Sequence, residues 1–153
     1  MKHEIRLLKT CQNEFPSILV DPKDYEKEKL IGKGGYAEVW LAVNKKTGEK
    51  VALKQLYHSI SPKQVRSFAR EIRTMSYGSH PFFLKFLGFS STLPLVLISE
   101  YMPNRSLFRF LKSKHRRNKL TATHRTLIAM GISHAMLYLH SLGIIHRDLK
   151  SMN

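Results

Sequence analysis

Lys54 and Glu71 carry opposite charges, and the carboxylate of Glu71 could hold the ammonium group of Lys54 in place to bind phosphate. Lys54 lies two residues after Ala52 in a β-prone run, so both side chains point to the same face of a strand. Glu71 borders the apolar stripe of the next helix, and a partly buried carboxylate needs a partner because desolvation is costly. The pair is predicted to hold the Lys54 ammonium toward phosphate oxygens, although a lone lysine is more often a surface residue.

A glycine-rich run, Gly32-Lys33-Gly34-Gly35, lies between two predicted strands. Glycines let the backbone approach a polyphosphate and offer N–H groups to its oxygens. A strand rather than a helix follows the run, which argues against a Rossmann or Walker nucleotide site. On this run alone, a glycine-rich hairpin that binds no ligand remains an alternative.

The last eight residues combine an acid, a base and an amide at short spacing. Asp148, Lys150 and Asn153 follow the end of a predicted helix at Gly143. A carboxylate can accept a hydroxyl proton, a lysine can stabilise a transferring phosphoryl group, and an amide oxygen suits a hard metal ion. Taken singly, each of these residues could equally be a turn residue or a helix cap.

The 153-residue chain is strongly basic, with 26 Lys and Arg against 11 Asp and Glu and a net charge of +15. No acid occurs from Tyr101 to Arg147, where basic residues recur. This stripe could attract the phosphates of nucleic acid, acidic lipid or a phosphorylated partner, or it could be a solvated face. Aromatic residues are not interleaved with it as base stacking requires, so no nucleic-acid partner is expected.

Composition also limits the class and location of the protein. Its length and 42% hydrophobic content suit a globular domain. The longest apolar run, residues 93–98, is far shorter than the roughly 20 residues that cross a bilayer, and charges near the N-terminus interrupt any signal peptide. Cys11 is the only cysteine, which excludes an internal disulfide and favours a reducing, intracellular and cytoplasmic location.

Hydrophobic periodicity predicts a β-rich half followed by a helical half. Strand-like runs occur at 25–31, 39–43, 51–56, 85–89 and 95–99. A Ser61-x-x-Gln64 capping box starts a helix between the third and fourth runs, with apolar residues at Val65, Phe68, Ile72 and Met75. From Ser106 the pattern is helical, and a longer helix is capped near Thr121 or Thr123 and ends at Gly143.

Together these motifs resemble the first half of a eukaryotic protein kinase domain over Tyr25–Asn153. The resemblance is carried by the glycine run, Val51-Ala52-Leu53-Lys54, Glu71, His80-Pro81, the hinge-like Ser99-Glu100-Tyr101-Met102 and His146-Arg147-Asp148-Leu149-Lys150-Ser151-Met152-Asn153. The Lys150-Ser151 pair is similar to the Raf and mixed-lineage branch of the tyrosine-kinase-like group, whose members mostly phosphorylate Ser or Thr.

The resemblance implies an α+β fold with the following organisation. Residues 1–24 would be a leader or linker. Residues 25–99 would form the N-lobe, a five-stranded antiparallel sheet plus the helix called αC in kinases. Residues 100–153 would supply the hinge, the first helices of an incomplete C-lobe and the catalytic loop.

The resemblance also implies a role for each matching residue, with ATP and Mg²⁺ as cofactors and a protein hydroxyl as the phosphate acceptor. The residues that would enclose or cradle the nucleotide are Ile31, Gly32, Gly34, Gly35, Val39 and Ala52. Lys54, paired with Glu71, would contact the α- and β-phosphates. Ser99 would be a small gatekeeper, and the backbone of Glu100 and Met102 would bond to adenine. Asp148 would be the catalytic base, Lys150 would steady the γ-phosphate, and Asn153 would bind Mg²⁺.

The chain departs from the kinase pattern in three respects. Ala37 occupies the third glycine position, and Arg105 stands where a glycine often follows the hinge. The Asp-Phe-Gly and Ala-Pro-Glu segments do not occur in these 153 residues, so the sequence is expected to be a fragment that is inactive alone. The alternatives are a kinase-like regulator that binds nucleotide or a partner without catalysis, and a basic module for nucleic acid or acidic lipid. The protein substrate and the oligomeric state stay open.

Overall fold

A computed structural model describes residues 2–58 and 61–152, with side chains from Arg6 onward. Within these residues the chain forms two compact units. The first comprises residues up to 78 together with 84–101, and the second comprises 79–83 together with the residues from 102 onward.

The first unit contains a five-stranded sheet in the order β1-β2-β3-β5-β4, and every neighbouring pair is antiparallel. Its strands are β1 (Tyr25–Lys33), β2 (Ala37–Asn44), β3 (Lys50–Leu56), β4 (Phe86–Phe89) and β5 (Val96–Glu100). The expected fold is therefore confirmed, with strand ends that differ from the sequence prediction by a few residues. Gly48 adopts a φ of +73° in the β2–β3 turn, a left-handed conformation that favours glycine.

The two faces of the sheet bury separate apolar clusters. One face packs against the helix α2 (Pro62–Ser76), and its cluster includes Leu56, Phe68, Ile72, Phe89 and Leu97. The opposite face buries Ala42, Val51, Leu53, Val96 and Ile98. Successive side chains of a strand point to opposite faces, so residues of β3 and β5 alternate between the two clusters. Both faces of the central strands are thereby covered.

Helix α2 begins as its sequence predicts. The Ser61 N–H donates to Gln64 Oε1 at 2.7 Å, and the Gln64 N–H donates to Ser61 Oγ at 3.3 Å. These two bonds satisfy backbone donors that the first helical turn leaves without a partner. Phe68 and Ile72 of the apolar stripe are fully buried against the sheet. The cap and the stripe together fix which face of α2 meets the strands.

The N-terminal segment, for which the sequence indicated only a leader or linker, begins with a helix, α1 (Lys2–Glu14), that packs against α2. Cys11 of α1 is fully buried. Two hydrogen bonds of 3.1 Å join the Arg73 guanidinium to the Glu14 carboxylate, and the rings of Phe15 and Tyr77 meet edge to face at 5.7 Å. This segment is part of the first unit because it buries side chains there.

The chain between α1 and β1 closes one edge of the sheet. Val20 donates its N–H to the Phe89 carbonyl at 3.0 Å, and Leu19 forms a parallel bridge with Phe89. Gly88 permits this approach, because a methyl carbon placed on it would lie 2.5 Å from Val20 Cγ1 and 2.6 Å from the Ile18 carbonyl oxygen. The missing side chain of Gly88 therefore makes room for the N-terminal segment.

Replacing Gly88 with Ala is expected to lower the free energy of unfolding by about 1–3 kcal/mol, the usual cost of overpacking. Urea denaturation measures the change, and hydrogen exchange at the Val20 amide reports whether the segment has moved away. Gly35→Ala is the matched control, since a methyl carbon at Gly35 meets nothing within 4 Å. Equal unfolding midpoints and unchanged Val20 protection in the Gly88 variant would show that the close approach is not real.

Burial raises the pKa of the Cys11 thiol above its ordinary range. We expect this thiol to react with a disulfide reagent much more slowly in the native protein than in urea, because the thiolate is the reactive form. The unfolded thiol loses its proton first, so the contribution of Cys11 to stability is present below about pH 8.5 and falls as pH rises further. Cys11→Ala should lack this alkaline loss, and equal thiol reactivity in both states would contradict the prediction.

The second unit is helical, as expected. Its helices are α3 (Leu107–Lys112), α4 (Lys114–Arg117) and α5 (Ala122–Ser141). Thr121 caps α5 through a reciprocal pair of bonds with His124, and Gly143 follows the helix with a φ of +70°. Within the unit, His80 stacks on Tyr138 with ring centroids 5.1 Å apart, so residues 79–83 pack against α5.

The sequence predicts an apolar stripe on α5, and this stripe is only partly buried; its residues are Ile128, Ile132, Ala135, Leu139 and Leu142. Leu139 is 7% exposed, whereas Ile132 and Leu142 are 39% and 44% exposed. Leu127 and Leu137, which lie outside the stripe, are also exposed. A helix that is apolar on most of its circumference is typical of the interior of a larger folded domain.

Candidate active site

An ion pair between Lys54 and Glu71 lies at the centre of the candidate site in the first unit. Lys54 Nζ donates to both carboxylate oxygens of Glu71 at 2.7 Å. The side chain of Lys54 is only 24% exposed to solvent, and that of Glu71 only 34%. The pair joins strand β3 to helix α2 and confirms the contact that the burial argument predicted. It holds a cation at a fixed place on the face of the sheet.

Strand register places the predicted nucleotide residues of the sheet around this cation. Gly32 is opposite Val39, and Val39 is opposite Lys54. Ala52 is opposite Ser99 on the other side of β3. Because alternate residues share a face, Ala52, Lys54 and their directly opposite partners lie on the same side of the sheet. The small side chains of Ala52 and Ser99 therefore lie on the same surface of the sheet as the Lys54 side chain.

The glycine run forms the tip of the β1–β2 hairpin, and two tyrosines hold it. The Gly34 N–H donates to the Ala37 carbonyl at 2.8 Å, which closes the turn. The Tyr57 hydroxyl donates to the Gly34 carbonyl at 3.0 Å, and the Tyr36 ring centroid lies 5.6 Å from Lys54 Nζ. A ring at this distance attracts the ammonium group. Neither tyrosine was predicted as a site residue, although Tyr36 directly follows the glycine run and Tyr57 directly follows β3.

The structure explains the alanine at the third glycine position. Ala37 is 6% exposed, and its methyl group belongs to the apolar cluster beneath α2. Gly34 and Gly35, by contrast, are exposed at the tip of the hairpin. A small apolar side chain is thus favourable at Ala37, while the tip keeps the bare backbone that a phosphate could approach.

The hinge-like residues differ in how their backbone groups are used. The Glu100 N–H donates to the Lys85 carbonyl at 3.0 Å, and the Glu100 carboxylate accepts from the Lys85 N–H at 2.6 Å. In the second unit, the Met102 carbonyl accepts from the Arg105 N–H at 3.0 Å. Arg105 has a φ of +62°, so it adopts the left-handed conformation at the place where a glycine was expected.

The terminal loop of the second unit brings Asp148 and Lys150 together. Lys150 Nζ lies 2.9 Å and 2.8 Å from the two Asp148 carboxylate oxygens, and the Asp148 N–H donates to His146 Nδ1 at 3.2 Å. Arg147 has a φ of +61°, a strained conformation for a residue with a side chain. Asn153, the predicted Mg²⁺ ligand, lies outside the described residues.

Helix α2 is held on the side opposite Glu71 as well. Ala69 lies two residues before Glu71 and Arg73 lies two residues after it, so each is about 200° around the helix from Glu71. The Cys11 thiol lies 3.8 Å from the Ala69 carbonyl oxygen, and Glu14 bonds to Arg73. The sequence carried no signal for these contacts, because they join residues 58 and 59 positions apart. Helix α1 thus stabilises the helix that carries Glu71.

Across 2–58 and 61–152, no group of three or more His, Cys, Asp and Glu side chains is arranged to hold a metal ion. Over the same ranges, no helix combines the length and apolar character needed to cross a membrane. Neither finding changes the arrangement at Lys54 or Asp148.

Comparison with known proteins shows the family. The family model described as "Protein kinase domain" matches residues 25–153. The chain is 34% identical over 154 residues to cysteine-rich receptor-like protein kinase 14 of Arabidopsis thaliana, covering 98% of this chain and 23% of that protein. It is 37% identical over 136 residues to the cytokinesis protein sepH of Emericella nidulans, covering 86% of this chain and 10% of that protein. The chain thus spans under a quarter of the length of these curated relatives. This chain belongs to the protein kinase family, whose members are phosphotransferases.

Proposed function

We propose that this chain supplies the ATP-binding half and the catalytic loop of a protein kinase that phosphorylates serine or threonine. The observation that supports this best is the two-oxygen contact of Lys54 with Glu71 beneath the glycine hairpin. A lysine held by one carboxylate on a sheet face has an orientation fixed before any ligand binds. Such a cation can stabilise phosphate oxygens without the cost of ordering its own side chain.

The proposed roles follow from the chemistry of each group. Lys54 binds the α- and β-phosphates, and the exposed backbone of Gly35 at the tip of the glycine run binds phosphate oxygens. Asp148 accepts the proton of the substrate hydroxyl. At the same time the hydroxyl oxygen bonds to the γ-phosphorus, and the bond between the γ-phosphorus and the departing ADP oxygen breaks. Lys150 neutralises charge on the transferring group, which its flexible contact with Asp148 permits because both side chains are exposed.

Mg²⁺ prefers hard oxygen ligands from carboxylate and amide groups. Asn153 would offer the amide oxygen. When bound, the metal ion would neutralise phosphate charge. Ile31, Val39 and Ala52 would enclose the adenine, and Ser99 would leave space behind it because its side chain is small. The backbone of Glu100 and Met102 would meet the adenine edge, and for Glu100 the carbonyl would serve, because its N–H already bonds to Lys85.

Two finer assignments rest on the catalytic loop alone. The Lys150-Ser151 pair supports membership of the tyrosine-kinase-like group and specificity for serine or threonine. Transfer of labelled phosphate from ATP to matched peptides that contain serine, threonine or tyrosine tests this in the full-length protein. Phosphotyrosine as the main product would overturn the specificity, and no transfer to any acceptor would overturn the proposed function.

We also propose that residues 1–153 alone transfer little phosphate. These residues contain no Asp-Phe-Gly segment, which in kinases supplies the carboxylate that holds Mg²⁺. Comparing the 153-residue polypeptide with an intact kinase domain tests this. Comparable turnover would contradict it, whereas nucleotide binding without transfer by the full-length protein would favour the alternative of a non-catalytic regulator. An intracellular location stays a prediction that depends on cysteine usage.

A further inference from the structure

A cluster of cations surrounds α3 and α4 in the second unit. We call residues 105–119 the basic segment. Its exposed cations are Arg105, Arg109, Lys112, Lys114, Arg116, Arg117 and Lys119. The segment contains no acid, and the next one along the chain is Asp148. No acidic side chain within the segment therefore balances its positive charge.

Aromatic rings, rather than carboxylates, orient two of these cations. Lys112 Nζ lies 4.8 Å from the centroid of the Phe108 ring, and the Arg116 guanidinium lies 5.9 Å from that of Phe110. Contacts of this kind position a cation and leave its charge available. Within the described part of the second unit, the one carboxylate is that of Asp148, and its ion pair is with Lys150 rather than with the basic segment.

The basic segment is attached to the loop that carries Asp148. The Phe108 N–H donates to the Ser151 carbonyl at 2.7 Å, within the second unit. Ser151 follows Asp148 by three residues, a chain reach of at most about 11 Å. Lys112 lies about 6 Å further along α3 from Phe108. With the 2.7 Å hydrogen bond included the span is at most about 20 Å, and an extended peptide rises about 3.3 Å per residue, so Arg109 and Lys112 are within about six residues of a hydroxyl at Asp148.

We propose that the basic segment binds anionic side chains of the protein substrate, on residues that flank the phosphorylated hydroxyl. The substrate class is an anionic peptide, whose charge comes from carboxylates or from phosphate groups already attached. The inference rests on the proposed function, because it takes Asp148 as the base. A peptide fits better than nucleic acid, since Phe108 and Phe110 are half-buried beneath cations and offer no open stacking surface.

Peptide binding to the full-length protein, measured by fluorescence anisotropy, tests the proposal. Three peptides share a central serine, which is flanked by glutamate, by phosphoserine or by glutamine. The glutamate and phosphoserine peptides should bind about ten-fold or more tightly than the glutamine peptide, since several contacts each contribute about two- to five-fold. The preference should weaken as salt is added. The two anionic peptides distinguish carboxylate from phosphate recognition.

A matched pair of triple variants locates the site. The variant Arg109→Gln/Lys112→Gln/Arg116→Gln should lose the anionic preference. The control Lys29→Gln/Lys50→Gln/Lys63→Gln removes the same charge from exposed positions of the first unit and should retain it. Equal binding of all three peptides, or loss of preference in the control alone, would overturn the proposal. Tighter binding of an RNA oligomer or an anionic vesicle that depends on the same three cations would also overturn it.

Nucleotide binding, measured in parallel with a fluorescent ATP analogue, separates this inference from the proposed function. If the analogue binds and the anionic preference is absent, only the inference fails. If the analogue does not bind and the anionic preference is present, the proposed function fails and the basic segment is still supported as a peptide-binding surface.

Discussion

Replacing Lys54 with Met is expected to lower the rate of phosphoryl transfer by about 10²- to 10³-fold, the usual effect of removing one fixed electrostatic donor. Methionine keeps most of the side-chain length and packing but removes the charge that the two carboxylate oxygens of Glu71 hold in place. Initial rates of γ-phosphate transfer by the full-length protein measure the loss. A circular dichroism spectrum checks that the fold persists, because this change leaves the Glu71 carboxylate, which is only 34% exposed, without its cation.

Lys50→Met is the matched control for this variant. Lys50 lies on the same strand and is exposed, and its change removes the same charge. Its rate should stay near that of the natural protein. Glu71→Gln should reduce the rate less than Lys54→Met, because the lysine remains, and the double variant should show strong coupling between the two positions. Equal rates for Lys50→Met and Lys54→Met would remove the basis for the proposed phosphate contact.

Changing Asp148 to Asn is expected to lower the transfer rate by about 10²- to 10⁴-fold, the range for loss of a positioned general base. The amide has the same shape as the carboxylate but does not accept the hydroxyl proton. ATP binding should be retained, because the residues assigned to the phosphates and adenine are unchanged. Single-turnover rates, together with the affinity for an ATP analogue, separate a loss of chemistry from a loss of binding.

Asp24→Asn provides the control for the aspartate change. Asp24 also pairs with a lysine, Lys46, at 2.6 Å, and both lie in the first unit near the β2–β3 turn. This variant should retain the natural rate. A transfer rate in Asp148→Asn within a few-fold of the natural protein would show that Asp148 has another role, such as positioning Lys150 through the contact at 2.8 Å.

The local elements of the fold could be predicted from the sequence because their causes are local. The Ser61 and Gln64 side chains cap their own helix, α2. Gly143 follows the end of α5 because glycine readily adopts the positive φ that stops a helix. The Lys54–Glu71 contact was also within reach, since a carboxylate beside a buried stripe needs a cation nearby. An exposed polar side chain has no such need for a partner, because water already solvates it.

Other features depend on which distant segments meet. The roles of Cys11 and Glu14 could not be read from α1, because their partners on α2 lie 58 and 59 residues away and no periodic pattern marks such a pairing. Gly88 looked like an ordinary strand residue until Val20 and Ile18 were found against it. The contact between the Tyr36 ring and the Lys54 ammonium likewise depends on the fold of the hairpin, which places the ring beside Lys54.

The sequence alone determined that this protein contains a glycine-rich hairpin, a strand that carries Lys54, a helix that carries Glu71 and a terminal loop that carries Asp148, because residue type and short-range spacing specify each of them. Only the tertiary structure decided that the N-terminal helix supports α2, that Ala37 is a core residue, and that Phe108 ties the basic segment to the loop of Asp148. Packing and backbone hydrogen bonds between remote segments depend on the shapes of both partners, which no stretch of sequence contains by itself.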